Sequence, residues 1–153
     1  MPRTRPVDSK DAILDFADQF PFFNLIGLDV VDVAPGWSEA TIQYRDDLTQ
    51  PAGVMHGGVI ASLIDTGIAH AVLLLDGVRR VLEAGGAVVS IDLRVKYFRP
   101  VSEGGLTCES KVVRAGRTVL HVESIVTNDD GKEIARGDAT YMVVPAETMD
   151  RRA

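Results

Sequence analysis

The sequence contains few of the residues on which disulfide scaffolds and metal clusters depend. Among 153 residues there is one cysteine, Cys108, and there are three histidines. A single cysteine excludes an intrachain disulfide and a cysteine-based metal cluster, and it fits a reducing cytoplasm. The histidines are scattered, with no acidic residue at ligand spacing, so neither a metal nor any other bound cofactor is expected.

Concentrated positive charge is also missing. The chain has 16 Lys and Arg against 22 Asp and Glu, a net charge of −6, and its basic residues are dispersed. This pattern argues against a nucleic-acid partner. Arg3 and Arg5 are not followed by an apolar region, so no signal peptide is expected. Length and composition predict one globular domain with a cytoplasmic location.

One long apolar stretch, Met55–Gly77, stands out from the rest of the chain. Its only polar residues between the opening His-Gly-Gly and Leu75 are Ser62, Asp65, Thr66 and His70. A helix that is apolar on all sides is buried, either in a core or in a membrane. Asp65 and His70 would be costly near a bilayer centre, and no second such stretch exists. A central helix in a soluble domain is therefore predicted, with no membrane partner.

Two features of this helix point to chemistry. Gly57 and Gly58 at its start leave backbone N–H groups uncovered at the positive end of the helix dipole, where a carbonyl oxygen is readily polarised. Asp65 is a lone carboxylate inside the apolar run. The structural alternative is that Asp65 pairs with a buried Arg or with backbone groups. Because both features occur on one helix, a catalytic role is favoured.

The spacing of these features predicts an oligomer. Gly57 and Asp65 are eight residues apart, which is about 12 Å along one helix. A single carbonyl group cannot contact both. Two copies of the helix, antiparallel about a two-fold axis, would bring Asp65 of one chain near Gly57 of the other. We therefore predict at least a homodimer with two sites at the subunit interface.

The remaining elements are read from periodicity and turn residues. A helix is predicted over Asp8–Phe20, ended by Pro21, and followed by an apolar segment. Residues 1–27 form this helix and cover segment, 28–145 the main domain and 146–153 a frayed tail. The predicted strands are Asp29–Val33, Ser38–Tyr44, Val88–Phe98, Leu106–Arg114, Thr118–Asn128 and Glu133–Val144. The order β-β-α-β-β-β-β indicates an α+β fold, a long helix against an antiparallel sheet.

Four segments resemble one known family. HGGVIASLIDTG (56–67) and VVSIDLRVKYFRPV (88–101) carry the likeness, and AGRTVLHVESIV (115–126) and IARGDATYMV (134–143) add weaker support. With them the chain resembles the hotdog-fold acyl-CoA thioesterases of the phenylacetate-pathway-like branch. The resemblance implies a central helix wrapped by a curved antiparallel sheet of about six strands. It also implies a homodimer with a continuous sheet, or a homotetramer.

The resemblance further implies roles for individual residues. Asp65 matches the general base or nucleophile, and the Gly57 N–H matches the group that polarises the thioester carbonyl. Gln50 falls where the family has an amide side chain near the carbonyl and the attacking water, and Ser90 where a hydroxyl faces the acid. The regions that contact CoA contain Gly58, Tyr97, Arg114 and Arg117. His56 is expected to support the helix start, with a catalytic role as the alternative.

The predicted function is hydrolysis of an aryl or short- to medium-chain acyl-CoA to the free acid and CoA. One alternative is a hotdog hydratase or dehydratase, which needs a catalytic His paired with an acid in a motif that we do not find. The other is a non-catalytic acyl-CoA-binding or sensor module. Phe22, Phe23 and Leu25 are expected to cover the core edge, or alternatively to line an acyl pocket.

Overall fold

The computed structural model of the chain describes residues 8–149. Helices and strands alternate little, because the six strands occur in two groups, two before the longest helix and four after it. The helices are α1 (Lys10–Asp18), α2 (Pro21–Ile26), α3 (Gly57–Val72), α4 (Asp76–Glu83) and α5 (Ala146–Met149). The strands are β1 (Leu28–Ala34), β2 (Trp37–Gln43), β3 (Ala87–Tyr97), β4 (Gly105–Ala115), β5 (Val119–Asn128) and β6 (Glu133–Val144).

The strands form one antiparallel sheet in the order β1-β2-β4-β5-β6-β3. Helix α3 lies across one face of this sheet and contacts all six strands. The predicted order of strands and central helix is confirmed, and so is the hotdog architecture that the resemblance implied. Strands β1 and β3 are the two edges of the sheet.

Helix α3 approaches the sheet closely on both sides of Asp65. A Cβ atom on Gly67 would lie 2.7 Å from Ser110 Oγ, and one on Gly137 would lie 2.5 Å from Ile64 Cγ2. Ser38 Oγ donates a hydrogen bond to the Gly67 carbonyl at 2.6 Å. These contacts hold the middle of α3 at a fixed distance from the sheet, because neither glycine position has room for a side chain. Because Asp65 lies in this part of α3, the same contacts fix its position relative to the sheet.

The termini differ from the prediction. Pro21 does not only end the first helix, since it also begins α2, and Gly27 at φ 70° closes that helix. Proline is favoured at the first helical position because its missing N–H has no partner there in any case. Residues 76–83 form α4, and part of the predicted tail is helix α5. Residues 1–7 and 150–153 lie outside the described part, and the predicted division at 27 and 145 stays a prediction.

Strand β3 departs from simple alternation. Ser90 pairs with Tyr141 and Asp92 with Thr140, so a β-bulge leaves Ile91 without an opposite residue. Up to Ser90 the even-numbered residues share the face of Tyr141, and beyond the bulge the odd-numbered ones do. Uninterrupted alternation with Leu93, Val95 and Tyr97 would put Ser90 on the other face. The bulge instead places Ser90 on the face that carries α3.

Two further observations concern membrane spans and the cysteine. In the part of the chain that the structure describes, no single helix is long and apolar enough to span a membrane. Only α3 and α4 taken together reach the required length, and that pair is bent by 91°.

Cys108 is buried and free. Burial raises the pKa of its thiol to about 11, so it stays protonated near neutral pH and is a poor nucleophile.

Candidate active site

The start of α3 presents one available backbone donor. His56 is the N-cap residue, and its Nδ1 accepts a hydrogen bond from the Gly58 N–H at 2.8 Å. The Gly58 donor is therefore occupied. Among residues 8–149 the Gly57 N–H meets no acceptor. It lies at the positive end of the helix dipole, where a carbonyl oxygen or an oxyanion is stabilised. His56 thus supports the helix start.

A cavity of 480 Å³ opens at this end of α3 and is lined by Gln50, His56, Gly57 and Tyr97 among others. The Tyr97 hydroxyl donates to the Gly57 carbonyl at 2.9 Å. A Cβ atom on Gly57 would lie 3.2 Å from Tyr97 Cζ, so the ring closes tightly over the glycine. Desolvation raises the pKa of Tyr97, which keeps its hydroxyl protonated as a donor.

The Gln50 side chain is partly engaged within its own loop. Its Oε1 accepts a hydrogen bond from the Ala52 N–H at 3.2 Å, and its backbone N–H donates to the Val54 carbonyl at 2.9 Å. These bonds fix the turn that precedes α3. They leave the amide Nε2 group as the remaining donor of the side chain. A donor in this cavity suits a carbonyl oxygen or a water molecule.

Asp65 lies on the wall of a different cavity, of 250 Å³. The Tyr141 hydroxyl donates to Asp65 Oδ1 at 2.7 Å and also approaches the Asp65 carbonyl oxygen at 3.2 Å. The structural alternative for Asp65 was a buried Arg or backbone groups, and the observed partner is a tyrosine on β6. Sequence reasoning missed Tyr141. The available signal was a tyrosine on the buried face of β6, which otherwise carries small and aliphatic residues, since a buried tyrosine hydroxyl usually has a partner.

Ser90 lies beside this pair rather than between its members. In an antiparallel ladder, directly opposite residues share a face, and Ser90 is opposite Tyr141. Ser90 itself is exposed, because β3 is an edge strand. In the described structure the hydrogen bond to the Asp65 carboxylate comes from Tyr141 and not from Ser90.

The predicted site residues fall into two groups within one subunit. Gln50, His56, Gly57 and Tyr97 share the first cavity, whereas Asp65 lines the second. Gly57 and Asp65 both belong to α3, so the helical rise keeps them about 12 Å apart. One subunit therefore does not bring the polarising donor and the acid together.

The two arginines predicted to contact CoA are not close to either group. Arg114 pairs with the exposed His121 on the sheet face opposite α3. Arg117 lies in the β4–β5 turn and lines a third cavity of 850 Å³ with Arg80 and Leu75. Gly58 is exposed next to the first cavity. A role in CoA binding for Gly58, Tyr97, Arg114 and Arg117 stays a prediction.

Other polar groups on α3 serve the helix. Ser62 Oγ donates to the Gly58 carbonyl at 2.8 Å, the back-bond that a serine in a buried helix commonly makes. His70 Nδ1 lies 2.7 Å from the Thr66 carbonyl oxygen. No cluster of three His, Cys, Asp or Glu side chains that could hold a metal ion occurs in residues 8–149.

Tyr141→Phe is expected to lower kcat about tenfold with little change in KM, because the carboxylate loses a charge-assisted hydrogen bond that orients it. Steady-state kinetics on a thioester substrate measures both constants. Tyr44→Phe is the matched control, since Tyr44 also lies near an aspartate side chain, Asp46, but lines neither cavity. A raised KM with unchanged kcat would contradict the positioning role of Tyr141.

The chain is similar to known esterases and thioesterases. The family model described as the Thioesterase superfamily matches residues 52–135. A Saccharolobus solfataricus protein named as an esterase is 30% identical over 140 residues, covering 91% of this chain and 93% of its own. The medium/long-chain acyl-CoA thioesterase YigI of Salmonella typhimurium is 29% identical over 140 residues, covering 84% and 88%. The crystal structure of a Haemophilus influenzae thioesterase superposes with a TM-score of 0.76 at 22% identity, covering 93% and 94%.

Proposed function

This chain belongs to the thioesterase superfamily, and we propose that it hydrolyses acyl-CoA thioesters with aryl or short- to medium-chain acyl groups to the free acid and CoA. The observation that carries the proposal is that α3 bears both an N–H donor without an acceptor, on Gly57, and a half-buried carboxylate, Asp65. These are the two groups that thioester hydrolysis requires. The thiolate is already a tolerable leaving group, so the enzyme must polarise the carbonyl and deliver a nucleophile.

Gly57 is proposed to polarise the thioester carbonyl. Its N–H points out of the helix start, and the dipole of α3 adds a partial positive charge there. Hydrogen bonds aimed at an oxygen that becomes negatively charged stabilise the transition state more than the ground state. Gln50 contributes a second donor in the same cavity. Tyr97 fixes the Gly57 peptide through its carbonyl.

Asp65 is proposed to act as the general base for water or as the direct nucleophile. Tyr141 holds one carboxylate oxygen, which leaves Oδ2 to accept a proton from water or to attack the carbonyl carbon. As a base, Asp65 takes a proton from water while the hydroxide adds to the carbonyl carbon, and the tetrahedral intermediate then expels the CoA thiolate. As a nucleophile, Asp65 attacks the carbonyl carbon, the C–S bond breaks and the CoA thiolate leaves. Water then hydrolyses the resulting anhydride to the free acid and regenerates the Asp65 carboxylate.

The complete site is proposed to form between two subunits. Strand β3 is an 11-residue edge with apolar side chains at Val89 and Ile91, the latter 54% exposed. A long apolar edge strand is a template for pairing with another strand. Pairing of β3 with its copy about a two-fold axis would continue the sheet and place Asp65 near the Gly57 of the partner. Homotetramers are compatible with the same dimer.

The test is release of CoA, detected with a thiol reagent, from aryl, short, medium and long acyl-CoA substrates. Turnover of at least one substrate by the purified protein is expected. Loss of an enoyl absorption band without release of thiol would favour the hydratase alternative. Tight binding of CoA esters without turnover would favour the binding or sensor alternative. Either result overturns the proposed function.

A cytoplasmic location and the absence of a cofactor belong to the same proposal. A buried free thiol at Cys108 is compatible with a reducing compartment. The two groups on α3 supply carbonyl polarisation and a base from the chain itself. Activity that survives extensive dialysis against a chelator is the expected result for a hydrolase that needs no metal ion.

A further inference from the structure

The cavity beside Asp65 is an apolar channel that follows one face of α3. Its α3 lining comes from residues at positions 65, 66, 69, 70 and 73, a spacing that places them on a single side of the helix. The opposite side of α3 packs on the sheet. Asp65 lies at one end of this lining and Leu73 at the other, eight residues or about 12 Å apart.

The outer wall of the channel is aromatic. It consists of Phe16, Phe20, Phe22 and Phe23, which we call the phenylalanine wall. The ring centroids of Phe16 and Phe20 are 6.1 Å apart, and those of Phe20 and Phe23 are 4.9 Å apart. Phe23 meets the His70 ring edge-on at 5.9 Å. The wall is therefore continuous from α1 across α2 to α3.

The dimensions of the channel suit an acyl group of moderate size. An apolar cavity of about 150 Å³ accepts benzene, so 250 Å³ has room for a phenyl ring with a short linker or for an alkyl chain of similar volume. With carbon–carbon bonds of about 1.5 Å, an extended chain advances about 1.3 Å per carbon, so about nine carbons span the 12 Å lining.

We propose that this channel holds the acyl group and that the phenylalanine wall limits it to about nine carbons. This inference rests on the proposed function, because Asp65 must act at the thioester for the chain beyond it to enter the channel. The carbonyl carbon lies at Asp65, and the far end of the acyl group lies toward Leu73, beneath Phe23. Straight-chain and phenyl-bearing acyl groups of this size are both apolar, so the channel would accept either kind.

The phenylalanine wall lies in the N-terminal segment, outside the residues that match the family model. The match to the family model begins at residue 52, whereas α1 and α2 end at Ile26. The helix inside the matched segment thus carries the acid, and a segment outside it closes the channel beside that helix. Of the three residues expected to cover the core or line an acyl pocket, Phe22 and Phe23 line the channel, whereas Leu25 is 71% exposed and does not.

Two opposite changes test the proposal. Phe23→Ala lengthens or widens the channel, and Ala69→Leu fills it from the α3 side. Leu25→Ala is the control, because it removes an apolar side chain from the same helix outside the channel. The probes are butanoyl-, octanoyl-, phenylacetyl-, dodecanoyl- and palmitoyl-CoA, and the readout is kcat/KM for each. Wild type is expected to prefer octanoyl- or phenylacetyl-CoA to palmitoyl-CoA.

Phe23→Ala is expected to raise the dodecanoyl-to-octanoyl ratio of kcat/KM at least about tenfold, and Ala69→Leu to lower the octanoyl-to-butanoyl ratio by a similar factor, since a methylene in an apolar pocket changes specificity by about 10-fold or more. Leu25→Ala should change neither ratio. The phenylacetyl arm shows whether rings and straight chains share the channel. Should Phe23→Ala not fold, Phe22→Ala, which removes an exposed part of the same wall, replaces it.

The outcomes separate this inference from the proposed function. A wild-type protein that releases no CoA from any probe overturns the proposed function. A wild-type protein that is active, with substrate ratios unaffected by changes at Phe23, Phe22 and Ala69, overturns only the role of the phenylalanine wall. A wild-type preference for palmitoyl-CoA would likewise overturn the role of the phenylalanine wall.

Discussion

Replacing Asp65 with Asn is expected to lower kcat/KM by about a hundredfold or more, the scale on which loss of a general base or nucleophile acts. Asn is nearly isosteric with Asp, and its carbonyl oxygen can still accept the hydrogen bond from Tyr141. The fold and the oligomeric state should therefore persist, while the basic oxygen is lost. Thiol release from the best acyl-CoA substrate measures the effect.

The control for this change is Asp138→Asn, which alters an exposed carboxylate on the face of β6 turned away from α3. Its activity should equal that of wild type. Gel filtration and thermal unfolding of both variants check that assembly and stability are unchanged. Equal activity of Asp65→Asn and wild type would mean that Asp65 serves only as a structural acceptor for Tyr141, and the catalytic assignment would be wrong.

Ile91→Arg is expected to convert the oligomer into monomers and to lower kcat/KM by about a hundredfold or more, comparable to removing an oxyanion donor. Ile91 is 54% exposed at the bulge of the edge strand β3. A charge on an edge strand opposes pairing with a second strand. Separation of the subunits would then leave each Asp65 without the Gly57 of its partner.

Val113→Arg is a closely matched control for the oligomer experiment. Val113 is also a β-branched residue at a bulge, between Val112 and Arg114, and is 59% exposed, but it lies on β4 inside the sheet order. This variant should remain oligomeric and active. A monomeric Ile91→Arg protein with full activity would show that a single subunit holds the complete site, and an oligomeric one would show that β3 is not the interface.

Much of the fold was predictable because local sequence patterns dictate it. Apolar side chains on nearly all sides of α3 require burial, and Asp65 and His70 disfavour a bilayer, so the interior of a domain is the favoured position. Alternating strands, separated by turns at Gly36, Gly116 and Gly131, allow little but an antiparallel sheet over that helix. The strand limits agree with the prediction to within about two residues, as expected for ends that depend on weak terminal hydrogen bonds.

The details of the site were less predictable because they depend on register. Alternation placed Ser90 with the polar residues of β3, and one inserted residue, Ile91, moves it to the face of Tyr141. A bulge leaves no reliable local signature in a single sequence. The Tyr141 hydroxyl reaches Asp65 over 76 positions of the chain, so only the packing of β6 against α3 reveals the pair.

The sequence by itself determined the central helix, the donor at its start and the carboxylate eight residues later, and it predicts a second subunit from their separation. These follow from periodicity and helical rise, which act between near neighbours. Only the tertiary structure decided which group holds Asp65, which face Ser90 occupies, and how Phe23 closes a channel over His70. Those contacts join residues distant in sequence, and their geometry is set by the packing of whole elements against one another.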